Sequence, residues 1–240
     1  MCKIEVVKFG SDLIANTNGV DRSRIEAHVS RLVDKRRLII VTSGAVATGR
    51  AIYRMNGATE LAETLENQKY LAGLGCTAVF NAFEEAFRAQ GRLVASYPIT
   101  HQDLEQNEHL LQAVDANMHR DTVVIFNEAD AYSQTELMEL KTGGDNDGLA
   151  AHVAIVTKAG VLTLVTENGG IIDQNDNLVE IVNCKNANQI QQMVNERPAS
   201  KNGRGGIKTK TAACVRAMHA GIESYITDEY GQRVTRFVVG

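Results

Sequence analysis

Ile4-Glu5-Val6-Val7-Lys8-Phe9-Gly10-Ser11 is a short apolar, partly β-branched run that stops at a glycine and a hydroxyl, which reads as a strand ending in a loop. The same design recurs. Residues 38–42 run into Ser43-Gly44-Ala45, residues 122–126 into Asn127-Glu128-Ala129-Asp130, and residues 161–165 into Thr166-Glu167-Asn168-Gly169-Gly170. Residues 93–97 and 224–227 complete the set of strand-like runs. Between them, Ile25, Val29, Leu32 and Val33 recur at helical spacing, as do Val79, Phe80, Phe83 and Phe87, and residues 102–118 carry Leu110, Leu111 and Val114. Strands alternating with helices predict an α/β fold, a three-layer αβα sandwich with helices on both faces. The nearly continuous apolar runs predict a mainly parallel sheet buried on both sides. In such sheets ligands sit beyond the C-terminal strand ends, and here four ends carry small, polar or charged residues expected to meet at one edge. Residues 171–173 and 178–182, joined by a turn-rich stretch, read as a β-hairpin or as a strand with a long loop. With only Pro98 and Pro198, no repeat and no flexible spacer, residues 1–240 read as one domain with two lobes.

Composition narrows the function classes. A chain of 240 residues with 44% hydrophobic content can bury an enzyme-sized core. Twenty-five Lys and Arg against 29 Asp and Glu, a net charge of -4, leave no electrostatic footprint for nucleic acid or an anionic membrane. Any phosphate binding must be local. Cys2, Cys76, Cys184 and Cys214 form no CxxC pair, which speaks against a disulfide framework or zinc cluster and for a reducing, cytoplasmic compartment. The first residues hold no apolar signal-like stretch and no run reaches membrane-span length. His28, His101, His109, His119, His152 and His219 share no ligand spacing, so no direct metal ligand is assigned.

Two glycine-rich segments carry chemistry. Gly143-Gly144-Asp145-Asn146-Asp147-Gly148 places two carboxylates and an amide in a turn ahead of an apolar, helix-like run; such a site takes an anion only if cations arrive from elsewhere in the chain. Asn202-Gly203-Arg204-Gly205-Gly206-Ile207-Lys208-Thr209-Lys210 precedes a helical run at 211–220. Backbone N–H groups at a helix start, together with a lysine, make a phosphate cradle. The spacing is neither a Walker A loop nor a dinucleotide fingerprint. Each residue also has a plainer reading. Lys8 can be a surface lysine, Asp145 and Asp147 can cap a helix, and Ser43 can cap the helix that follows it. Lys208 reads as a rim charge. The stripe of Phe80, Phe83 and Phe87 is core or subunit interface.

Taken in order, Lys8 in VVKFGS, VTSGA at 41–45, NEADA at 127–131, GDND at 144–147, Thr166-Glu167 and GRGGIKTK at 203–210 resemble the amino-acid kinase family, most of all its glutamate 5-kinase branch. The resemblance spans residues 3 to about 227. It implies an αβα sandwich around a roughly eight-stranded sheet, with the amino-acid substrate in the N-terminal half and ATP with Mg2+ in the C-terminal half. The implied reaction phosphorylates a side-chain carboxylate to an acyl phosphate, a step of amino-acid (proline) biosynthesis. Carried over residue by residue, the catalytic set is Lys8, Asp147 and Lys210, with Asp147 organising the two lysines. The substrate set is Ser43, Gly44, Asp130 and Asn146, and the nucleotide set is Lys8, Gly10, Thr166, Glu167, Gly205, Gly206 and Lys210. Magnesium arrives on the nucleotide. The implied partners are a small carboxylate substrate, a downstream enzyme that consumes the acyl phosphate, and further copies of the chain, for which helix 76–89 offers an apolar face.

The sequence departs from the branch pattern at Asp12, Cys76, Ala129, Gly148 and Glu167, and no RNA-binding-like C-terminal domain or closing strand is read in it. Those departures keep open a paralogue acting on a different small acid, phosphate or phosphonate, and a nucleotide-binding regulator without turnover.

Overall fold

The computed structural model describes residues 3–99, 103, 107–128, 146–196 and 206–240. Eight strands form one sheet: β1 (Glu5–Phe9), β4 (Leu38–Thr42), β5 (Val94–Ile99), β6 (Val123–Glu128), β7 (Val161–Thr166), β8 (Ile181–Val182), β9 (Glu223–Asp228) and β10 (Thr235–Phe237), in the order β5-β6-β4-β1-β7-β9-β10-β8. β2 (Ala15–Asn16) and β3 (Gly19–Val20) make a separate antiparallel ribbon. Every pairing in the large sheet is parallel except β9 with β10. The expected mainly parallel, eight-stranded architecture is present.

Helices α1 (Arg22–Leu32), α2 (Ala45–Met55), α3 (Leu65–Ala89), α4 (Asn107–Met118), α5 (Asn146–Val156), α6 (Ala187–Asn195) and α7 (Ile207–His219) complete the described elements. The side-chain period of two splits the strands between two cores. Val7, Phe9, Leu38 and Ile40 face Ile25 and Val29 of α1 and Val79, Phe83 and Phe87 of α3. Ile4, Val6, Ile39 and Val41 face Leu110 and Val114 of α4, Leu149 and Val153 of α5, and Val215 of α7. Lys8 shares the parity of Ile4 and Val6. Its side chain is therefore aimed at the layer containing α5 and α7.

β1 sits between β4 and β7, with Lys8 level with Val41 on one side and Leu164 on the other. Strands β5 and β6, from residues 94–128, extend the sheet from β4 outward, and the strands after residue 160 extend it from β1 on the other side, beginning with β7. The strand order thus reverses direction at β1, which is where open α/β sheets form their ligand crevice.

The structure refines four expectations. Residues 171–179 turn back on themselves, Ile172 bridging antiparallel to Leu178 and the Asp173 and Val179 N–H groups donating to the Asn177 and Ile171 carbonyls, while Ile181–Val182 leaves that hairpin and pairs in parallel with β10. The closing strand not read in the sequence is β10, antiparallel to β9; three residues are too few to show a period. The run at 211–220 starts earlier, so Lys210 lies in the first turn of α7 rather than in a loop before it. Of the two readings of the aromatic stripe on α3, core or interface, the structure gives core: Val79, Phe83 and Phe87 are buried within the chain itself.

α2 and α3 cross at backbone contact. A Cβ built on Gly49 lies 1.8 Å from the Leu71 carbonyl oxygen, and one on Gly75 lies 1.9 Å from that of Ala45. Neither backbone can retreat without moving a whole helix. Gly75→Ala is expected to cost about 2 kcal/mol or more by overpacking, read as a lower urea midpoint at unchanged slope; a midpoint equal to wild type would show that the helices separate freely.

Candidate active site

The end of β1 and the starts of α5 and α7 bring three charged side chains together. Asp147, the second residue of α5, is 2% exposed; its Oδ1 lies 2.7 Å from Lys8 Nζ and its Oδ2 3.1 Å from Lys210 Nζ. Lys8 and Lys210 are themselves buried. Such lysines are not surface charges, which removes the plainer reading of Lys8. The Thr209 hydroxyl donates to Asp147 Oδ2 at 2.7 Å and is also 2.9 Å from the Gly206 carbonyl. Both carboxylate oxygens are thus engaged.

Burial alone would push the Asp147 carboxyl up. The Lys8 and then the Lys210 charge, with hydrogen bonds from Lys8 and Thr209, outweigh it and hold the group down at about 2. The carboxylate stays ionised throughout the physiological range.

The substrate-side residues lie close by. Asn146 opens α5, is buried, and its Nδ2 donates to Glu128 Oε2 at 3.4 Å. Its Oδ1 has no hydrogen-bond partner among the described residues, a state that buried polar atoms rarely keep. Ser43 follows β4 and is half-buried. The N-cap of α2 is Gly44, held at φ 93°, and no side chain caps it, so Ser43 does not serve as the cap. Left-handed backbone at Gly44 strongly favours glycine. Asp130, Asp145 and Gly205 lie outside the described residues.

On the opposite side of β1, Gly10 and Gly206 have ordinary φ values of -72° and -71°, and a Cβ on either would meet nothing within 4 Å. They border open space rather than a strained turn. Gly206 caps α7 with no side-chain hydrogen bond, and the first N–H groups of a helix lack intrahelical partners. Thr166 ends β7, its hydroxyl 2.8 Å from the Gly169 N–H and 3.0 Å from the Gly169 carbonyl, and it thereby shapes the turn at 166–169. Glu167 pairs with Arg24 at 3.2 Å. Asp12, in the short 3-10 turn at Ser11–Leu13, has its carboxyl pushed up by burial and by Glu167, against the pull of Lys210, Lys8 and Arg24.

Several participants escaped the sequence reading. Thr209 sits within the quoted GRGGIKTK run, yet only the helix start at Ile207 turns its hydroxyl onto Asp147. Glu128 belongs to β6 rather than to the loop after it. Arg24 is 143 residues from Glu167 in the chain. Lys208, read as a rim charge, donates to the Asn195 carbonyl at the end of α6.

The lowered pKa of Asp147 carries a consequence for stability. In the unfolded chain the carboxyl binds its proton near the ordinary 3.8, whereas in the folded chain it waits until about 2. The stabilisation is complete above pH ~4 and is lost as pH falls toward 2. Asp147→Asn, which leaves two buried ammonium groups without their carboxylate, should lower stability by about 3 kcal/mol at pH 7. Denaturant titrations of both proteins should show that gap narrowing between pH ~4 and 2; a gap independent of pH would contradict the ion triad.

Residues 3–228 match the profile of the Amino acid kinase family. Glutamate 5-kinase from Pectobacterium carotovorum subsp. carotovorum (strain PC1) is 31% identical over 236 residues, covering 92% of this chain and 62% of that protein. Glutamate 5-kinase from Aliivibrio salmonicida (strain LFI1238) is 31% identical over 248 residues, covering 98% and 65%. The chain spans a little under two thirds of the length of these curated relatives. Among solved structures, carbamate kinase from Giardia lamblia bound to AMP-PNP matches with a TM-score of 0.67 at 11% identity over 98% of each chain. UMP kinase from Ureaplasma parvum matches at 0.60 and 15%, over 98% of this chain and 99% of that one. Those likenesses concern the fold. With the family profile spanning nearly the whole chain, this protein belongs to the amino acid kinase family.

Proposed function

We propose that this chain transfers the γ-phosphoryl group of ATP to the side-chain carboxylate of glutamate or a close analogue, giving an acyl phosphate and ADP. The observation that carries this reading is the Lys8–Asp147–Lys210 triad, buried at the C-terminal edge where the strand order reverses. Similarity to glutamate 5-kinases over most of the chain supports the choice of acceptor.

The acceptor carboxylate is ionised at neutral pH and is its own nucleophile. One of its oxygens forms a bond to the γ-phosphorus while the bond from that phosphorus to the β,γ-bridging oxygen breaks and ADP leaves. No general base is required. The chain's task is to bring two anions together and to offset the charge spread over the transferred group. Lys8 and Lys210 supply that offset, and Asp147 fixes their separation by taking one ammonium on each oxygen.

In this reading the N-terminal half holds the substrate and the C-terminal half the nucleotide. Asp130 pairs with the α-ammonium; Ser43, the Gly44 backbone and Asn146 contact the substrate, the buried Asn146 Oδ1 being the atom that needs a donor. Gly10, Gly205 and Gly206 let the chain approach the phosphates, and Thr166 and Glu167 border the nucleotide pocket. Asp147 is no ligand for a cation, since both its oxygens face ammonium groups, and no cluster of three or more His, Cys, Asp or Glu is found among the described residues. This donor set suits a Mg2+ ion that would enter on the nucleotide and would supply charge neutralisation there. A homo-oligomer, a reducing cytoplasmic setting and a following enzyme that consumes the reactive acyl phosphate belong to the same reading. Among the described residues, no helix is long and apolar enough to cross a membrane.

A coupled ADP-release screen of small carboxylates and amino acids, run with hydroxylamine, tests the proposal: glutamate or a near analogue should yield hydroxamate in step with ADP. ADP without hydroxamate would move the acceptor to a phosphate or phosphonate, and nucleotide binding without ADP release across the panel would make the chain a regulator. Lys210→Ala should reduce kcat about 100-fold while changing nucleotide Kd less than about threefold, because its interaction strengthens in the transition state. Equal losses in both constants would contradict that role.

A further inference from the structure

The Arg24 side chain, in the first turn of α1, gathers the three loops that leave β1, β7 and β9. Its Nη1 donates to the Asp12 carbonyl at 2.7 Å and to Glu167 Oε1 at 3.2 Å, while Nε and Nη2 grip Glu229 at 3.0 and 3.1 Å. A guanidinium alone has the planar fork for such a set. The side chain is three-quarters buried, and Asp21 caps α1 by accepting from the Arg24 backbone N–H.

Glu229 is a firm anchor. Arg31 donates to its carbonyl at 2.9 Å and places its guanidinium 5.1 Å from the Tyr230 ring. Asp228 accepts from the backbone N–H groups of Tyr230, Gln232 and Arg233, which closes the β9 loop on itself. That loop is joined to the β7 loop by Gly170 N–H donating to the Arg233 carbonyl at 2.8 Å. Arg24 adds the β1 loop, which follows directly from Lys8 and Gly10, to this pair.

Charge gives the arrangement a purpose. Glu167 raises the cost of ionising Asp12, at an edge that also feels Lys8 and Lys210. A polyphosphate arriving there meets two lysines and two carboxylates. We propose that Arg24 is a positioning residue for the nucleotide half of the site: it holds the Glu167 carboxylate and the Asp12 turn on one guanidinium, so that the phosphates face the lysines rather than an uncompensated acid. The proposal rests on the reading that this edge binds ATP, and it assigns to Arg24 and Glu167 a joint role in nucleotide affinity rather than in the transfer step.

The test is a double-mutant cycle on the full chain. Wild type, Arg24→Gln, Arg24→Lys, Glu167→Gln and the double variant Arg24→Gln with Glu167→Gln are compared for AMP-PNP affinity by calorimetry, for kcat and KM of ATP, and for thermal midpoint. Arg24→Gln should weaken AMP-PNP binding about tenfold and raise the KM for ATP more than it lowers kcat. Arg24→Lys should recover part of the affinity, keeping the charge without the fork. Removing the Glu167 charge in the Arg24→Gln background should restore most of the affinity, which a merely structural role would not produce. Wild-type affinity in Arg24→Gln, or no recovery in the double variant, overturns the proposal. Should Arg24→Gln fail to fold, Arg24→Lys decides: it must bind AMP-PNP more weakly than wild type, and wild-type affinity overturns the assignment. A wild type that neither binds AMP-PNP nor releases ADP overturns the kinase reading and this proposal together, whereas turnover by the wild type with unchanged affinity in the variants overturns the Arg24 role alone.

Discussion

One buried carboxylate between two ammonium groups organises this molecule. Asp147 is almost fully removed from water, and it is held ionised there by Lys8 and Lys210. Burying three charges is costly unless they are paired and hydrogen-bonded, so the positions of their three elements are coupled. β1 must end where Lys8 faces the layer of α5 and α7, α5 must start one residue before Asp147, and α7 must begin early enough for Thr209 and Lys210 to turn inward. Small errors in any of these would leave a buried charge without its partner.

The sheet makes this coupling possible. Parallel strands with helical crossovers deliver successive chain segments to the same edge, and β1 at the point of reversal receives neighbours from both halves of the chain. Side chains that are remote in sequence, Lys8, Asp147 and Lys210, meet there because each lies at the same level of its layer. The close crossing of α2 and α3 at Gly49 and Gly75 plays a supporting part, since it sets how α2, and with it Ser43 and Gly44, sits beyond β4.

Strands of five or six residues with near-continuous apolar character were legible in the sequence, because a strand buried on both faces must be apolar at every position. The polar ends of those strands pointed to the site edge for the same reason: polarity interrupts such a run only where the sheet stops being covered. β10, with three residues, was not legible, because its existence depends on pairing with β8 and β9 rather than on local pattern, and β8 was legible only as the end of the run at 178–182, not as the partner of β10. The start of α7 was misplaced by four residues because Lys208, Thr209 and Lys210 look like loop residues until the Asp147 carboxylate gives two of them a partner.

By itself, the sequence determined the six longer strands of the sheet and most of its helices, that the sheet is mainly parallel, and which glycine-rich and acidic motifs are the candidates for the chemistry, since these follow from local periodicity and residue type. The tertiary structure alone decided that Lys8 is buried instead of solvated, that Thr209 and Glu128 join the site, and that Arg24 ties together loops more than a hundred residues apart. The reason is physical. Burial and ion pairing are properties of distance in space, and no local pattern encodes the distance between residues that meet only after the sheet has assembled.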